Sequence, residues 1–354
     1  DRPGSVVVEV PVDCDDCGDG GDGGDGGDGG DGGDGPVVDS IIPAELEGAI
    51  SDSGTTASAA FGNKAIYTID VAALPGGVLD PSGLLIGNDV VYQISGGALR
   101  VVPAAGAVVN GKNVTLDNGS GTVGTSALPD CQLEMAPGAV VVGSDAEDFL
   151  VIEQGCALVA DGTAAQPIVF SALAEVLGNV EDDDRGLWGG LVINGLAPIN
   201  DCPEGQEGGT AGCVKEGEAN SGTFGGADPN DNSGVLRYVS VRFAGSFVDT
   251  ENQLNGIAFQ GVGDETVIEY VQVHNNLDDG IEFFGGTANA KYIVLTGNAD
   301  DSLDWTDGWN GNMQFLYIEQ TTSADHGIEA DNREGAEDLL PRSNPVIANM
   351  TILG

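Results

Sequence analysis

The stretch Asn276–Trp309, "NLDDGIEFFGGTANAKYIVLTGNADDSLDWTDGW", carries one short phrase twice, as DGIEFF from Asp279 and DSLDWT from Asp301. Two more copies flank it, NGIAFQ from Asn255 and HGIEAD from His326. Aligned on Ile257, Ile281, Leu303 and Ile328, the four are spaced by 24, 22 and 25 residues. Each is followed by a second apolar run: TVIEYVQVH, AKYIVLTG, MQFLYIEQ and NPVIANMTIL. Such a period, filled with short strands and Gly/Asn/Asp turns, is the signature of a parallel β-helix with one coil per repeat. Helical solenoids fit poorly, because Gly and β-branched residues recur within each unit.

Strand alternation predicts which residues face the core. Ile281, Phe283, Leu303, Trp305, Ile328 and Ala330 point inward, and Glu282, Asp304 and Glu329 point outward. Coil-on-coil stacking then sets equivalent residues about 4.8 Å apart. Three columns result: Asp278, Asp300 and Asp325; Asp279, Asp301 and His326; Glu282, Asp304 and Glu329. Two like charges at that spacing repel by ~0.9 kcal/mol in bulk water and by ~3.5 kcal/mol at an effective dielectric near 20. A column of acids therefore calls for neutralisation. Calcium between adjacent coils would supply it, using these Asp and Glu oxygens with Asn298 or Asn332 as neutral additions. The competing expectation is a solvated acidic edge, with catalytic acids as a third. His326 reads as a pH-sensitive surface partner.

Composition supports a cation. The 354 residues carry 57 acidic and 11 basic side chains, a net charge of -46. Such self-repulsion opposes compaction unless cations or salt offset it. It also excludes nucleic acid and anionic membrane surfaces as partners. The 58 glycines and repeated Val/Ile runs predict an all-β chain. No apolar run approaches the roughly 18 residues needed to cross a bilayer. A start without Met or a signal peptide predicts a mature exported chain, extracellular or at the cell surface.

Four regions are expected. Residues 1–17 hold a strand-like run, SVVVEVPV, followed by Cys14 and Cys17. Residues 18–35 repeat Gly-Gly-Asp with period three. That repeat reads either as a flexible linker spanning ~23 Å or as an extended helix ~56 Å long. Residues 36–130 form a β-rich N-terminal region or the first coils, and residues 131–354 the β-helix. Six cysteines suit an oxidising compartment. Cys131 and Cys156 lie one period apart, so adjacent coils would bring them within disulfide reach. Cys202 and Cys213 would close the insertion CPEGQEGGTAGC, a loop too polar to enter the core. Zinc at Cys14 and Cys17 lacks a second ligand pair.

The segments DFLVIEQGCALVADGTAAQPIVFSA, RGLWGGLVINGLAPIN, FGGTANAKY and DDSLDWTDGW resemble the secreted or surface-exposed β-helix proteins of Bacteroidetes and marine gammaproteobacteria. The resemblance covers about Cys131 to Gly354. It implies a right-handed parallel β-helix and an extracellular location, and brings no catalytic residue set.

Two functional classes follow. The first is a structural or adhesive surface protein, plausibly a homo-oligomer or filament subunit. Here the strand bearing Val6, Val7, Val8 and Val10 would add to a neighbour's sheet edge. The final run NPVIANMTILG, without a polar cap, would be covered by a stacked subunit or by further residues. The alternative is a carbohydrate-active or glycan-binding protein using Asp300, Asp301, Asp304 and Glu282, with Trp309 as a sugar platform. Lys291 and Arg333 are the bases near those acids in sequence, and so acidic a chain would repel anionic sugars. No phosphate loop, nucleophile elbow or HExxH motif appears.

Overall fold

Ile281, Phe283 and Leu303 point inward and are fully buried. Their strands, Ile281–Phe284 and Leu303–Thr306, pair in parallel with Ile281 opposite Leu303, Glu282 opposite Asp304 and Phe283 opposite Trp305. The computed structural model describes residues 46, 48–79, 82–103, 108–109, 112–113, 128–246 and 253–354. Val6, Val7, Val8, Val10, Cys14, Cys17 and the Gly-Gly-Asp repeat lie outside them.

The chain folds as a right-handed parallel β-helix, as its period predicts. Seven short strands form one face, running from Leu303–Thr306 through Ile281–Phe284, Ile257–Gln260, Gly190–Asn194, Phe149–Ile152 and Leu99–Val101 to Val78–Leu79. A larger sheet of thirteen strands covers the rest of the coil. Within it Gly234–Arg242, Val267–His274, Asn289–Thr296, Asn312–Glu319 and Val346–Leu353 stack in parallel. The stack continues before Cys131, since Ala65–Asp70 pairs in parallel with Val91–Ser95 and Val91–Ser95 with Val140–Gly143.

The motif's glycines have a steric role. A Cβ on Gly280 would lie 2.6 Å from the Ser302 carbonyl and 2.3 Å from Asn298, and one on Gly256 would lie 2.6 Å from the Gly280 carbonyl. Each glycine thus lets the next coil come down onto it, which explains the Gly before Ile in NGI and DGI. The fourth copy departs from the pattern. HGIEAD contributes a single bridge, Leu303 to Ile328, rather than a strand, and Ala330, expected inward, is exposed.

Each long strand turns a corner at one left-handed residue: Tyr238, Tyr270, Tyr292, Phe315 and Asn349, with φ between 51° and 63°. Bulky residues pay about 1–3 kcal/mol for that conformation. Stacking offsets part of the cost, because the four rings lie 4.5, 4.4 and 4.9 Å apart in succession. A second aromatic column, Phe259, Phe283 and Trp309, runs inside the coil at 5.0 and 4.2 Å.

Cys131 and Cys156 are register partners in adjacent coils, bonded with Cα atoms 4.6 Å apart. Cys202 and Cys213 also bond. Their loop and the residues that follow it as far as Phe224, together the insertion below, stay out of the central core but are more apolar in their packing than the loop's composition predicts. Cys213 and Phe224 are fully buried on the outer surface of the short-strand face, in a second cluster with Phe149, Val151, Val192, Ile199, Ala258 and Phe284. Among the described residues no helix is long and apolar enough to cross a membrane.

Phe283→Ala removes the middle ring of the interior column and should cost about 3–5 kcal/mol of unfolding free energy. Phe315→Ala, at the half-open end of the outer column, should cost less than about half as much. Urea unfolding of the two variants checks the ranking.

Candidate functional site

The outward residues of the short-strand face are not solvated. Glu282 and Asp304 are each 8% exposed, because the insertion lies over this face as a second layer. Between the layers is a cleft of about 590 Å³, lined by Glu218, Glu282, Asp304 and Glu329 and closed at one end by Lys215, Asp307 and Arg333.

The columns expected from the repeat are present in two forms. In the Asp279 column each carboxylate serves the next coil. Asp279 Oδ1 accepts the Asp301 backbone N–H at 3.0 Å, and Asp301 Oδ1 accepts the His326 N–H at 2.6 Å. Asn255 begins the same column, donating from Nδ2 to Glu282 Oε2 at 2.7 Å. The other form is a carboxylate cluster. Oxygens of Asp279, Glu282 and Asp304 lie within 4.8 Å of one another, as do those of Asp278, Asp279 and Asp300. Asp304 Oδ1 is buried without any hydrogen-bond partner.

Five of the eight acids proposed as ligands from the sequence are therefore brought together: Asp278, Asp279, Glu282, Asp300 and Asp304. The other three fall outside these two groups, although Glu329 lines the same cleft. Asp301 is buried but holds His326, while Asp325 and Glu329 are exposed, since the fourth repeat does not complete a strand. Asn298 and Asn332 are committed elsewhere. Asn298 Oδ1 accepts the Asn276 N–H, and Asn332 Oδ1 accepts the Ser343 N–H.

Burial and mutual repulsion together raise these acids. Asp278 is pushed up to about 7 by burial and then by Glu218 and Asp300. Asp304 reaches about 6, chiefly through burial, against a hydrogen bond from Glu282. Asp279 and Glu282 are held well above the ordinary carboxylate range by burial and then by their acidic neighbours. Glu218, from the insertion, reaches about 7 through burial, with Lys215 opposing and Asp304 and Asp307 adding.

The basic end answers differently. Lys215 Nζ meets Asp201 at 2.6 Å and Asp307 at 3.0 Å, while Arg333 Nε meets Asp201 at 3.1 Å. Asp307, fourth acid of DDSLDWTD, is thereby paired with cations. Lys215 is the base the sequence did not reveal, because 92 residues separate it from Asp307. Lys291 instead lies over the Tyr292 ring at 4.9 Å. Trp309 cannot be a sugar platform: it is fully buried, stacked on Phe283, and donates from Nε1 to the Ala288 carbonyl. Trp305 is only half-buried.

Donors that are all carboxylate oxygen, crowded and partly unpartnered, fit a hard divalent cation such as calcium. They do not fit zinc or copper, which take nitrogen and sulfur. In chelator, the raised carboxylates mean that the folded chain binds more protons than the unfolded one. Their contribution to stability is thus fully present below about pH 4 and is lost as pH rises towards about 7. Melting in chelator should therefore occur at higher temperature at pH 5 than at pH 7.5. Asp304→Asn should narrow the gap; an unchanged gap would remove the cluster as its cause.

A family model described as a pectate-lyase-like β-helix domain matches residues 109–354. No curated protein and no solved structure matches the chain. The matched span includes the short-strand face from Phe149–Ile152 onward, the insertion and every acid of the cleft, and the chain belongs to the pectate-lyase-like β-helix domain family.

Proposed function

We propose that this chain is an exported, calcium-carrying β-helix that binds carbohydrate in the acidic cleft. The observation that carries the proposal is the group Asp279, Glu282 and Asp304 on the cleft floor, with the Asp304 Oδ1 atom buried and unpartnered. Calcium there would neutralise the floor and present a Lewis-acidic centre to sugar hydroxyl or carboxylate oxygens. The affinity of extracellular calcium modules, on the order of 10⁻⁴–10⁻³ M, would suffice outside a cell. Two disulfides suit the same compartment.

Binding is favoured over proton abstraction. Lys215 is raised above its ordinary value by Asp307 and Asp201 despite burial, so it is a cation at neutral pH and not a base. Arg333 faces the same two carboxylates. The basic end therefore acts as a fixed wall that tethers the insertion to the Asp307 turn. A role as a self-assembling surface filament rests on the run bearing Val6, Val7, Val8 and Val10, outside the described residues, and on the run NPVIANMTILG, where Val346, Met350, Ile352 and Leu353 are exposed; the cleft offers it no support.

The test is equilibrium binding of a panel of neutral and acidic polysaccharides to the purified chain, in millimolar calcium and in chelator. Retention in calcium, with at least a tenfold loss in chelator and in Asp304→Asn, is the expected result. Binding indifferent to both changes would sink the proposal.

A further inference from the structure

The larger sheet carries a second cleft, of about 590 Å³, that shares no residue with the acidic one. Its wall is apolar. Val140 and Val169, register partners on Val140–Gly143 and Ile168–Ala172, belong to an outer cluster with Val176 of the short helix Leu173–Leu177, and Phe61 packs against it. Phe61 lies on the turn that joins Ile50–Thr56 to Ala65–Asp70, and the same turn ends in Lys64.

Lys64 is an exception among the cations. Acids outnumber bases by 57 to 11, so a base is expected to meet a carboxylate. Arg100, Lys215, Arg237, Arg242, Arg333 and Arg342 all do. Arg185 donates to the Asp183 and Gly297 carbonyls, and Lys291 lies over the Tyr292 ring. Lys64 pairs with no carboxylate among the described residues. Its Nζ has one contact, the Gly138 carbonyl at 3.4 Å.

A glycine makes the place that Lys64 reaches into. Asn88, Gly138 and Gln166 occupy the turns before Val91–Ser95, Val140–Gly143 and Ile168–Ala172, which stack in that order. A Cβ on Gly138 would lie 3.5 Å from Gln166 Cβ and 3.9 Å from Asn88 Cβ, so the missing side chain leaves a notch between two amides. Asn88 Nδ2 donates to the Pro137 carbonyl, whereas the Gln166 side chain makes no hydrogen bond among the described residues and lines the cleft. Arg242, also on the lining, is neutralised by Glu175 at 2.8 Å. The lining is thus left with one unpaired positive charge, that of Lys64.

We propose that this cleft binds a small aromatic carboxylate, its acid group on the Lys64 ammonium and the Gln166 amide and its ring against Phe61, Val140 and Val169. An apolar wall with a few polar groups, in a volume of this size, is the form of a small-molecule site. The ligand supplies the carboxylate that the other paired bases find within the chain. A net charge of -46 does not forbid it, because acids farther than about 8 Å are screened at physiological salt while the adjacent ammonium is not. A polyanion would meet the repulsion of the whole surface, and an inorganic anion would leave the apolar wall wet. The inference is independent of the cation reading of the acidic cleft.

The test uses 2-naphthoate as probe, with 2-naphthamide as its uncharged counterpart and inorganic phosphate as an anion without a ring. Binding to the full chain is measured by calorimetry at physiological salt, in chelator so that no calcium in the acidic cleft can hold the carboxylate. Lys64→Met keeps an apolar stem and removes the charge. Lys291→Met removes a charge elsewhere, and melting of each variant checks its fold. Wild type should bind 2-naphthoate at least tenfold more tightly than the amide or phosphate. Affinity should fall at least tenfold in Lys64→Met and at least threefold in Phe61→Ala, and less than twofold in Lys291→Met. Absence of naphthoate binding by the wild type, or equal binding by Lys64→Met, would overturn the proposal. Equal binding of the amide would overturn the part given to Lys64, and equal binding of phosphate the part given to the apolar wall. Should Lys64→Met fail to fold, the difference between acid and amide decides.

Discussion

In-register stacking is the constraint on which the rest of this molecule depends. Every side chain of a coil faces its counterpart in the next at about 4.8 Å, so whatever a position does, it does in a column. For apolar and aromatic residues the rule is favourable: Ile257, Ile281 and Leu303 build one continuous wall, and Phe259 and Phe283 stack. For acids it is costly, and the chain meets the cost in two ways. Where an acid precedes a strand, as at Asp279 and Asp301, its carboxylate takes the amide of the next coil. Where the acid points out from a strand, as at Glu282 and Asp304, the pairing is less complete: Glu282 accepts from the Asn255 side-chain amide, but Asp304 Oδ1 has no partner, and the charge accumulates.

The insertion turns that accumulation into a site. Left open to water, Glu282 and Asp304 would be screened and their repulsion would be small. The layer containing Cys213 and Phe224 leaves Glu282 and Asp304 only 8% exposed, and the lower effective dielectric strengthens their interaction. The same layer brings Lys215 to Asp307 and Arg333's partner Asp201 into the cluster. Neutralisation is thus complete at one end of the cleft and lacking at the other. That asymmetry, more than the number of acids, makes the floor a candidate for a cation.

The coil was legible because its signal is local and repeated: Gly before Ile, alternation over four residues, and a period near 24. The Cys131–Cys156 bond followed from the same period. The site was legible only in its floor. Glu218 and Lys215 arrive from an insertion with no periodicity, and their place over the short-strand face depends on the Phe224–Phe284 contact, 60 residues apart in the chain. Trp309 misled for a related reason. It follows the strand rather than lying in it, so alternation says nothing about it, and its stacking on Phe283 is visible only in three dimensions. Ala330 and Glu329 were drawn into the pattern by sequence likeness, although HGIEAD supplies one bridge and no strand.

Net charge and site charge are different quantities. A chain at -46 can be stabilised by any salt that screens its surface, and that effect is general. Screening does not reach a carboxylate oxygen that is buried and unpartnered, as Asp304 Oδ1 is. Such an atom must be protonated, or take a hydrogen-bond donor, or take a cation. Protonation is available near pH 6, where Asp304 titrates, but not in neutral or alkaline water. Glu282, itself held well above the ordinary carboxylate range, hydrogen-bonds Asp304 for as long as it keeps its proton, and Asp279 is a further acid of the same cluster. Once that proton is lost, relief would require an ion small enough to enter the floor and charged enough to satisfy several carboxylates at once. A divalent oxygen-seeking cation meets that requirement, whereas bulk monovalent salt leaves the cluster's internal repulsion in place.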